Sequence, residues 1–465
     1  MKFIALIFLV LIAQTNSKLT EKNPYDYSSY SAISIDEDLV NQELTSTAQD
    51  ESVVYITNMN SIKNSIINKQ SGDASNIENS EFYGVNAAVL VQDGMLNVNG
   101  GKIITNAKGA NALVATNGGI VDIVGTNIIS TGEASARGLH STYGGIISAK
   151  EVNISSTGGS CATLATDRGE GTISCSNCDL STQGAGSPLI YSTGIISVSN
   201  TKGNAFGAQA VVVEGKNVAS VGLGSELKCT ASPNRKTVDQ CGIMIYQSMS
   251  GDASDGTSSF KCSDSTIEIV EASSYYQTAP MFFITNTDAE IEITNCNFKY
   301  GSDIFLSLKG TNEWGKVGVN GGNAVLNLTN QNIKGDFEVD DISTLTINMV
   351  KSHITGKINN ANSSKQMNIV IDKDSTITLT GNSFCYSMKN GDPTGANLIN
   401  GTYNWTIVHE EIIPDSDSNP DTGSARGILN LYSLLLSLSL ILSIILWWFY
   451  LKVIKFNKKF MLNFK

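Results

Sequence analysis

The residues of this chain that could carry out chemistry form two groups of acidic and basic side chains. Hydrolysis of a glycosidic bond needs two carboxyl groups that flank the bond, and elimination from an acidic polysaccharide needs carboxylates for calcium and an arginine base. Asn286-Thr287-Asp288 and Asp340-Asp341 supply carboxylates in the second half, and Arg137 and Asp167-Arg168 lie in the first half. The histidines are His140, His353 and His409. No acidic cluster surrounds the arginines in the sequence, so we interpret these groups as solvated turn residues and expect no catalytic set.

The eight cysteines are the second set of residues with reactive side chains. They are Cys161, Cys175, Cys178, Cys229, Cys241, Cys262, Cys296 and Cys385. An even number of cysteines in a secreted chain favours disulfides, whose pairing the sequence does not determine. Cys229 and Cys241 flank a polar stretch at 232–234, which makes them the candidates for a local disulfide. Cys175 and Cys178 form a CxxC pair, but a zinc site needs a second pair and a redox site needs a βαβ context, so we expect neither a metal nor a cofactor.

The elements that must position these residues repeat along the chain about every 24 residues. Alanines mark the repeat at Ala88, Ala112, Ala136 and Ala162, with steps of 24, 24 and 26 residues by subtraction. Each repeat holds three short strand-like pieces, separated by glycine or polar turns, and shows no helical periodicity. A repeat of this length is typical of a solenoid, and three strands per repeat predict an all-β chain folded as a single-stranded parallel β-helix.

Stacked coils would align equivalent residues of successive repeats in ladders, with apolar residues inside and Gly or Asn at the turns. Asn127, Asn153 and Cys178 each stand four residues before the threonine that closes their repeat, so we expect them in one ladder, with Cys178 facing inward. The pattern weakens at 232–276, where we expect a loop to bulge out. Residues 51–410 have room for roughly 13 coils and a rod about 60 Å long.

Several blocks of the sequence resemble a known family of surface proteins. They are Ser71-Gly72-Asp73 and residues 79–91, 326–329, 343–347 and 356–362. These blocks resemble bacterial adhesin-like surface proteins with a right-handed parallel β-helix of the pectate-lyase-like superfamily fold. The resemblance covers most of residues 50–410. It implies a right-handed β-helix and a location on the cell surface, and it does not identify a function, because proteins of this kind are named by their architecture.

The same superfamily fold also carries polysaccharide-cleaving enzymes, which makes a carbohydrate-active enzyme of the pectate-lyase or polygalacturonase type the alternative function. Polygalacturonases have the sequence pattern NTD, DD, GHG and RIK. Asn286-Thr287-Asp288 matches the first motif and Asp340-Asp341 could mimic the second. The chain has no GHG, and no arginine lies between Arg235 and Arg426. The resemblance to these enzymes is therefore incomplete, and we expect no enzymatic activity.

Both ends of the chain are apolar. Residues 1–17 contain one lysine, an apolar run and a small closing residue, which predicts a secretory signal peptide. Residues 428–451 carry no charge and are followed by lysines, which predicts one transmembrane helix with the N-terminal side outside the cell. The predicted segments are a signal peptide (1–17), a polar arm or cap (18–50), the β-helix ectodomain (51–410), a juxtamembrane linker (411–427), the transmembrane helix (428–451) and a basic cytoplasmic tail (452–465).

The segment before the apolar stretch offers a second kind of anchor. Asn419-Pro420-Asp421-Thr422-Gly423 resembles the LPxTG-type sorting signal of Gram-positive surface proteins, with Asn in place of Leu. In a host with a sortase, the chain would be cut after Thr422 and linked to the cell wall. Both anchors place the protein on the cell surface, either in the plasma membrane or on the wall.

The net charge limits the partners of the exterior segment. The formal net charge is −12, and removal of Lys2 and the five lysines after residue 451 gives −12 − 6 = −18 for the mature exterior. Such an acidic surface repels nucleic acid, so we exclude nucleic-acid binding. The membrane is the expected partner of the apolar C-terminal segment. Extracellular glycans or a neighbouring cell surface are the expected partners of the ectodomain.

Two further surface features bear on binding. The N-x-[ST] sequons, which are candidate N-glycosylation sites, start at Asn153, Asn327, Asn362, Asn400 and Asn404. Tyr275-Tyr276, Tyr300 and Trp314 lie in loop-like stretches, where aromatic rings either stack on sugars or cap the core. Together with the anchor and the repeats, these features predict an adhesin-like surface protein that binds carbohydrate or a cell or matrix surface.

Overall fold

The structure, a computed structural model, describes residues 21–233 and 240–412. Within these ranges almost every element is a short β-strand that pairs in parallel with strands of the neighbouring coils. The expectation of an all-β solenoid of parallel strands is confirmed. No helix in these ranges is long and apolar enough to cross a membrane. Four predicted features lie outside the described residues, namely the signal peptide (1–17), Thr422 of the sorting signal, the transmembrane helix (428–451) and the cytoplasmic tail (452–465).

The described strands form three long sheets and a short fourth one. The first sheet contains β1 (Ala32–Ile35), β4 (Ser52–Ile56), β7 (Val89–Gln92), β10 (Leu113–Thr116), β13 (Leu139–Ser141), β16 (Leu164–Thr166), β19 (Ile190–Ser192), β22 (Val211–Glu214), β25 (Ile243–Tyr246), β28 (Phe282–Thr285), β31 (Ile304–Leu308) and β34 (Asp336–Val339). The second contains β2 (Leu39–Val40), β5 (Met59–Lys63), β8 (Met95–Asn99), β11 (Ile120–Val124), β14 (Ile146–Lys150), β17 (Thr172–Ser176), β20 (Ile195–Ser199), β23 (Val218–Gly222), β26 (Thr257–Ser263), β29 (Asp288–Thr294), β32 (Asn323–Thr329), β35 (Thr344–Val350), β37 (Gln366–Ile371), β39 (Ser383–Asn390) and β41 (Trp405–Ile412).

The third sheet takes the last strand of each coil in the first two thirds of the chain. It contains β3 (Glu43–Ser46), β6 (Ile66–Lys69), β9 (Lys102–Thr105), β12 (Asn127–Ser130), β15 (Asn153–Ser156), β18 (Asp179–Thr182), β21 (Lys202–Ala205), β24 (Glu226–Cys229), β27 (Thr266–Ile269) and β30 (Asn297–Lys299). The fourth sheet contains β33 (Asn332–Lys334), β36 (His353–Gly356), β38 (Thr376–Leu379) and β40 (Leu398–Ile399). Each coil thus contributes one strand to each of three faces until β34, the last described strand of the first sheet.

The interior of the solenoid consists of ladders of apolar side chains. In the second sheet, Val121 pairs with Leu96 and with Ile147, and Ile147 pairs with Ile173. All four are buried, whereas their neighbours in the strand are partly exposed. Successive side chains of a strand point to opposite faces, so every second residue points inward. Because the coils stack in register, the inward positions are the same in each coil. One continuous apolar core therefore runs through the described coils.

The repeats align differently from the predicted alignment after the second alanine. Leu113 pairs with Leu139, which is 26 residues further along the chain. Ala136 therefore lies in the turn before β13, and it does not share a ladder with Ala112. Hydrogen bonding keeps the strands of successive coils in register, so any extra residues lie in the turns. A turn that is longer than the preceding one therefore changes the sequence spacing between equivalent residues.

The ladder predicted for Asn153 and Cys178 is wrong by one residue. Asn153 pairs with Asp179, because β18 starts at that aspartate. Cys178 is buried and faces inward as expected, but it forms a disulfide with Cys175. The CxxC motif therefore closes the corner between β17 and β18 within one coil.

The solenoid begins earlier and contains more coils than predicted. β1, β2 and β3 form the first coil inside residues 18–50, which the sequence assigns to an arm or cap. Ser34 and Ser46 are buried in that coil, so no apolar alternation reveals it. The second sheet has 15 strands in the described residues, and 14 of them start within residues 51–410, where roughly 13 coils were expected from the spacing. Its last strand extends into the first two residues of the predicted linker (411–427).

The weak pattern at 232–276 predicts a bulging loop, but the described part of this stretch from residue 240 onward continues the coils. β25, β26 and β27 all lie in this stretch and extend their three sheets. The additional residues are placed in the turns between these strands, notably at 247–256. Polar and small residues in long turns weaken the sequence pattern without interrupting the stack.

The single helix in the described residues, α1 (Ile77–Tyr83), lies between β6 and β7. Asn76 caps its N-terminus, since the side-chain oxygen accepts a hydrogen bond from the amide of the second helical residue. Gly84 ends the helix at φ of 75°, in the left-handed region that favours glycine. His140 of β13 lies 2.6 Å from the carbonyl oxygen of Glu81. The helix therefore covers the outer face of the first sheet.

The disulfide suggested for Cys229 and Cys241 is not formed. Cys229 is a buried free thiol whose Sγ lies 3.9 Å from the carbonyl oxygen of Gly242, and burial raises the pKa of this thiol to about 12. Its side chain belongs to the core of the solenoid. Cys241 packs with Met244 and Phe283 in a separate apolar cluster, so proximity in the sequence does not bring the two sulfurs together.

The disulfide Cys262–Cys296 joins neighbouring coils, and its loss is expected to lower the free energy of unfolding by about 3–4 kcal/mol. The bridge spans a sequence separation of 34 and restricts the unfolded chain accordingly. Urea denaturation of the full chain carrying Cys262→Ser and Cys296→Ser measures the effect. The matched control is Cys175→Ser with Cys178→Ser, which opens a bridge of sequence separation 3 and should cost about half as much. Equal losses in the two double variants would contradict an explanation based on loop closure.

Candidate functional site

The outer face of the first sheet is covered, although outward positions of a solenoid normally face solvent. Strand pairing aligns Tyr55, Leu90, Val114, His140, Ala165, Tyr191, Val212, Met244 and Phe283 in one outward ladder. All are buried except Tyr191, which is half-buried. The covering segments in the middle of this face are α1, the turn at 247–256 and the loop at 309–322. A core of stacked coils does not require this second layer, so we examined the face as a binding site.

A cleft of about 320 Å³ opens between the covering segments. Its charged and aromatic wall residues are Glu81, Phe82, Arg137, Asp167, Tyr191, Glu214, Tyr246, Asp252 and Trp314. They come from α1, from the ends of strands in successive coils and from the covering loops. The volume lies at the lower end of the range of ligand sites, about 300–1,000 Å³.

The most deeply buried charges of the cleft form an ion pair. Arg137 lies in the turn before β13 and Asp167 follows β16; their side chains are 8% and 4% exposed, and Nη1 lies 2.8 Å from Oδ2. A second carboxylate, Glu81, lies 3.8 Å from Nη2 of the same arginine. Burial raises the pKa of Asp167 to about 6, although the guanidinium acts to lower it. Desolvation of such a pair is costly, and perturbed buried charges of this kind cluster at functional sites.

His140 supports the arginine from the outward ladder. Burial and the nearby Arg137 lower the pKa of the imidazole to about 3, so the ring is neutral at physiological pH. Its Nε2 lies 2.6 Å from the carbonyl oxygen of Glu81 and donates to it. Its Nδ1 lies 3.4 Å from Nη1 of Arg137 and 3.3 Å from the carbonyl oxygen of Ala165. The histidine therefore contacts the arginine from the outward ladder, and its neutral ring adds no charge to the cleft.

Glu214 is a second buried carboxylate of the cleft and ends β22. Its Oε2 accepts hydrogen bonds from the hydroxyls of Tyr191 at 2.6 Å and Tyr246 at 2.8 Å, and its Oε1 accepts one from Ser248. Burial and the charge of Glu214 raise the pKa of Tyr191, so that hydroxyl stays protonated and donates. The three donors hold the carboxylate in one orientation at the cleft wall.

An arginine on the rim fastens the turn at 247–256 to α1. Arg168 lies 2.9 Å from Asp252 of that turn, and its guanidinium carbon lies 3.8 Å from the centroid of the Phe82 ring. A second cavity of about 670 Å³ lies on the other side of this contact, and Asp252 lines both cavities. The ion pair thus forms part of the wall between two neighbouring depressions.

The cleft offers hydrogen-bond acceptors, aromatic faces and negative charge, which suit a polar organic ligand. Its carboxylates are spread over several coils and engaged by arginines or hydroxyls. In the part of the chain that the structure describes, no group of three or more His, Cys, Asp or Glu side chains could hold a metal ion. The groups of the cleft can recognise a ligand by contact, and its carboxylates could transfer protons.

The structure brings together one of the two acid and base groups singled out in the sequence. Arg137 and Asp167-Arg168 meet in and beside the cleft, so their interpretation as solvated turn residues is wrong for Arg137 and Asp167, which are 7% and 3% exposed. Asn286-Thr287-Asp288 and Asp340-Asp341 are not among the lining residues of the cleft. Asp288 is exposed and accepts a hydrogen bond from an asparagine of the next coil, and Asp340 accepts one from a backbone amide.

The sequon asparagines are dispersed over the solenoid surface. Those with exposed side chains are Asn153, Asn362, Asn400 and Asn404. Asn327 is half-buried within β32, where its Oδ1 accepts a hydrogen bond from Asn348 at 2.8 Å. A glycan attaches to the amide nitrogen, so this contact through Oδ1 does not occupy the attachment atom. The use of the sequons remains a prediction.

The aromatic residues singled out in the sequence have different roles. Trp314 lines the cleft, with its ring centroid 4.9 Å from that of Tyr246 in an edge-on arrangement. Tyr275, Tyr276 and Tyr300 pack against the solenoid core, as expected for rings that cap it.

Sequence reasoning missed Glu81, Tyr191, Glu214 and Tyr246. These residues lie far apart in the chain and match no motif. A signal was nevertheless present, because strands of the first sheet read as continuous apolar runs such as 281–284, whereas strands of the second sheet alternate. Continuous apolar runs indicate strands that are buried on both faces. The same runs therefore predict a covered outer face, although not the residues that line its cleft.

Comparison of the chain with protein-family models, with curated protein sequences and with solved structures finds no significant match. The assignment of a function therefore rests on the geometry of the cleft.

Proposed function

We propose that this protein is an adhesin-like binding protein of the cell surface and that the cleft on its first sheet binds carbohydrate. The observation that carries the proposal is the carboxylate of Glu214, fixed by hydroxyl donors beside the rings of Tyr246 and Trp314. Sugars present hydroxyl groups that donate to carboxylates, and apolar ring faces that pack on aromatic side chains. A cleft with both kinds of group can fix the orientation of a sugar ring.

The scaffold supports a binding role. Side chains at the ends of stacked strands are held by the ladders beneath them, so the site is pre-organised before the ligand arrives. The proposal includes a right-handed coil, the signal peptide (1–17) and a C-terminal anchor, either the span at 428–451 or the sorting signal at Thr422. With either anchor, the solenoid would present its cleft outside the cell.

A carbohydrate-active enzyme is the second candidate, and one observation favours it. Asp167 follows β16 and Glu214 ends β22, which lies two coils further along the first sheet, and strands two coils apart are separated by about 10 Å. Inverting glycosidases separate their carboxyl groups by about 6.5–9.5 Å. The close ion pair with Arg137 nevertheless opposes a role for Asp167 as a proton donor.

Glycan binding by the full chain tests the proposal. An array of glycans identifies a bound sugar, and titration calorimetry then compares variants. Trp314→Ala is expected to weaken binding about tenfold, because a stacked ring face is lost. The matched control is Tyr403→Ala, which removes an aromatic ring that is 40% exposed outside the cleft and should leave affinity unchanged. A chain that binds no glycan, or equal effects of the two substitutions, would contradict the proposal. Turnover of a bound polysaccharide that disappears in Asp167→Asn would instead support the enzyme.

A further inference from the structure

We propose that the cleft recognises a ligand that carries an organic ammonium group, bound at Glu214 beside the rings of Tyr246 and Trp314. This inference rests on the proposed function, because it specifies the chemical class of ligand that the same cleft accepts. A neutral sugar could accept or donate hydrogen bonds in the cleft, but it would not balance the negative charge at the cleft wall.

The charge of Glu214 has no cationic partner in the described residues. The side chain is 1% exposed, and its contacts are the hydroxyls of Tyr191, Tyr246 and Ser248. None of the ion pairs formed by the described residues includes it. A buried carboxylate without a counter-charge is costly, and a carboxylate can accept about four hydrogen bonds, of which three are made here. A cationic group from a ligand would balance the charge, and a protonated amine would also supply the fourth hydrogen bond.

Two aromatic rings near this carboxylate remain for a ligand. Tyr191 and Tyr246 both reach it through their hydroxyls, but the guanidinium carbon of Arg137 lies 5.7 Å from the centroid of the Tyr191 ring, so that ring already faces a cation. Trp314 lies edge-on to Tyr246, with an angle of 61° between the ring planes, so the two rings form adjoining walls. Faces of Trp and Tyr attract ammonium groups through the ring quadrupole, and cages of such rings bind quaternary ammonium ligands.

The other charges of the cleft favour a cation as well. Four carboxylates and one guanidinium line it, and one of these carboxylates, Asp252, is paired with Arg168 at the rim. The guanidinium, Arg137, is neutralised by Asp167 at 2.8 Å and accompanied by Glu81 at 3.8 Å, so it is not free to bind an anionic sugar. The potential of a cleft with this excess of acids attracts cations and repels anions. Uronic acids and sialic acids are therefore poor candidates.

Two sources could supply the ammonium group. One is the protonated amine of an amino sugar without an N-acetyl group, and the other is a quaternary ammonium such as choline on a surface glycan. Both place a positive charge next to carbon–hydrogen groups, which is the chemistry that rings and a carboxylate recognise together. The arms of the experiment distinguish the two sources.

Calorimetric titration of the full chain tests the inference with three probes. They are an oligosaccharide of glucosamine, the N-acetylated oligosaccharide with the same backbone, and choline. We expect at least one ammonium probe to bind about tenfold more tightly than the N-acetylated oligosaccharide. Glu214→Gln keeps the shape and a hydrogen-bond acceptor for the tyrosines but removes the charge, so it should abolish the preference. The matched control is Glu226→Gln, which removes an exposed charge from the third sheet and should preserve it.

A second variant keeps the inference testable if Glu214→Gln proves unstable. Trp314→Leu retains an apolar side chain in the loop at 309–322 and removes the aromatic face, so the ammonium preference should fall while the fold persists. Equal binding of the charged and N-acetylated oligosaccharides, unchanged in Glu214→Gln, would overturn the inference and leave carbohydrate binding in place. Absence of binding to these probes and to every glycan of the array would overturn both. Binding of choline alone would support the ammonium site and assign the quaternary source.

Discussion

Replacing Asp167 with alanine is expected to lower the free energy of unfolding by about 3–5 kcal/mol, because it leaves a buried guanidinium without its close partner. The side chain of Arg137 is 8% exposed and lies 2.8 Å from Asp167. After the substitution, the nearest remaining carboxylate is Glu81, which is 3.8 Å away in the intact site and partly exposed. Urea denaturation of the full chain, followed by circular dichroism, measures the loss.

The rim of the same cleft supplies the matched control. Asp252→Ala removes the partner of Arg168, whose side chain is 36% exposed, and should cost about 0–1 kcal/mol because water solvates the remaining charge. Arg137→Met combined with Asp167→Leu removes both buried charges and should be less destabilising than Asp167→Ala alone. A loss in Asp167→Ala no larger than that in Asp252→Ala would show that the inner pair is not desolvated.

Replacing Phe282 with alanine is expected to cost about 3–5 kcal/mol of unfolding free energy, since a large cavity would open in the interior ladder. Phe282 of β28 is fully buried. Its ring centroid lies 5.5 Å from that of Phe260, 5.6 Å from that of Phe298 and 5.2 Å from that of Phe305. Phe260 and Phe305 belong to the coils before and after that of Phe282, and Phe298 belongs to the same coil, so the substitution removes contacts that couple this coil to both neighbours.

A surface phenylalanine provides the comparison for Phe282. Phe206 is 58% exposed, and Phe206→Ala should change the stability by about 0.5 kcal/mol or less. Phe282→Leu keeps most of the volume and should lose less than the alanine variant. The denaturation midpoints of these variants, compared with the unsubstituted chain, measure the order of effects. Similar midpoints for Phe282→Ala and Phe206→Ala would contradict the packing of the interior ladder.

The sequence by itself determined the strand pattern and the inward face of most coils. Residues such as Val121 and Ile147 lie in alternating strands, and alternation assigns the inward side chains from a few neighbouring residues. Stacking of like coils then repeats the pattern, so the solenoid follows from local information. The prediction missed the first coil because it depended on alternating apolar residues. In that coil the buried residues include Ser34 and Ser46, which are polar.

Only the tertiary structure decided the register and the cleft. The length of each turn sets which residues pair, and it moved Ala136 out of the ladder in which the repeat placed it. The ring of Trp314 reaches Tyr246 across a long stretch of chain, and Arg168 meets Asp252 across a sequence separation of 84. These contacts depend on how long turns fold back over the first sheet. No local sequence pattern encodes that arrangement, because the residues that pack together belong to coils that are far apart in the sequence.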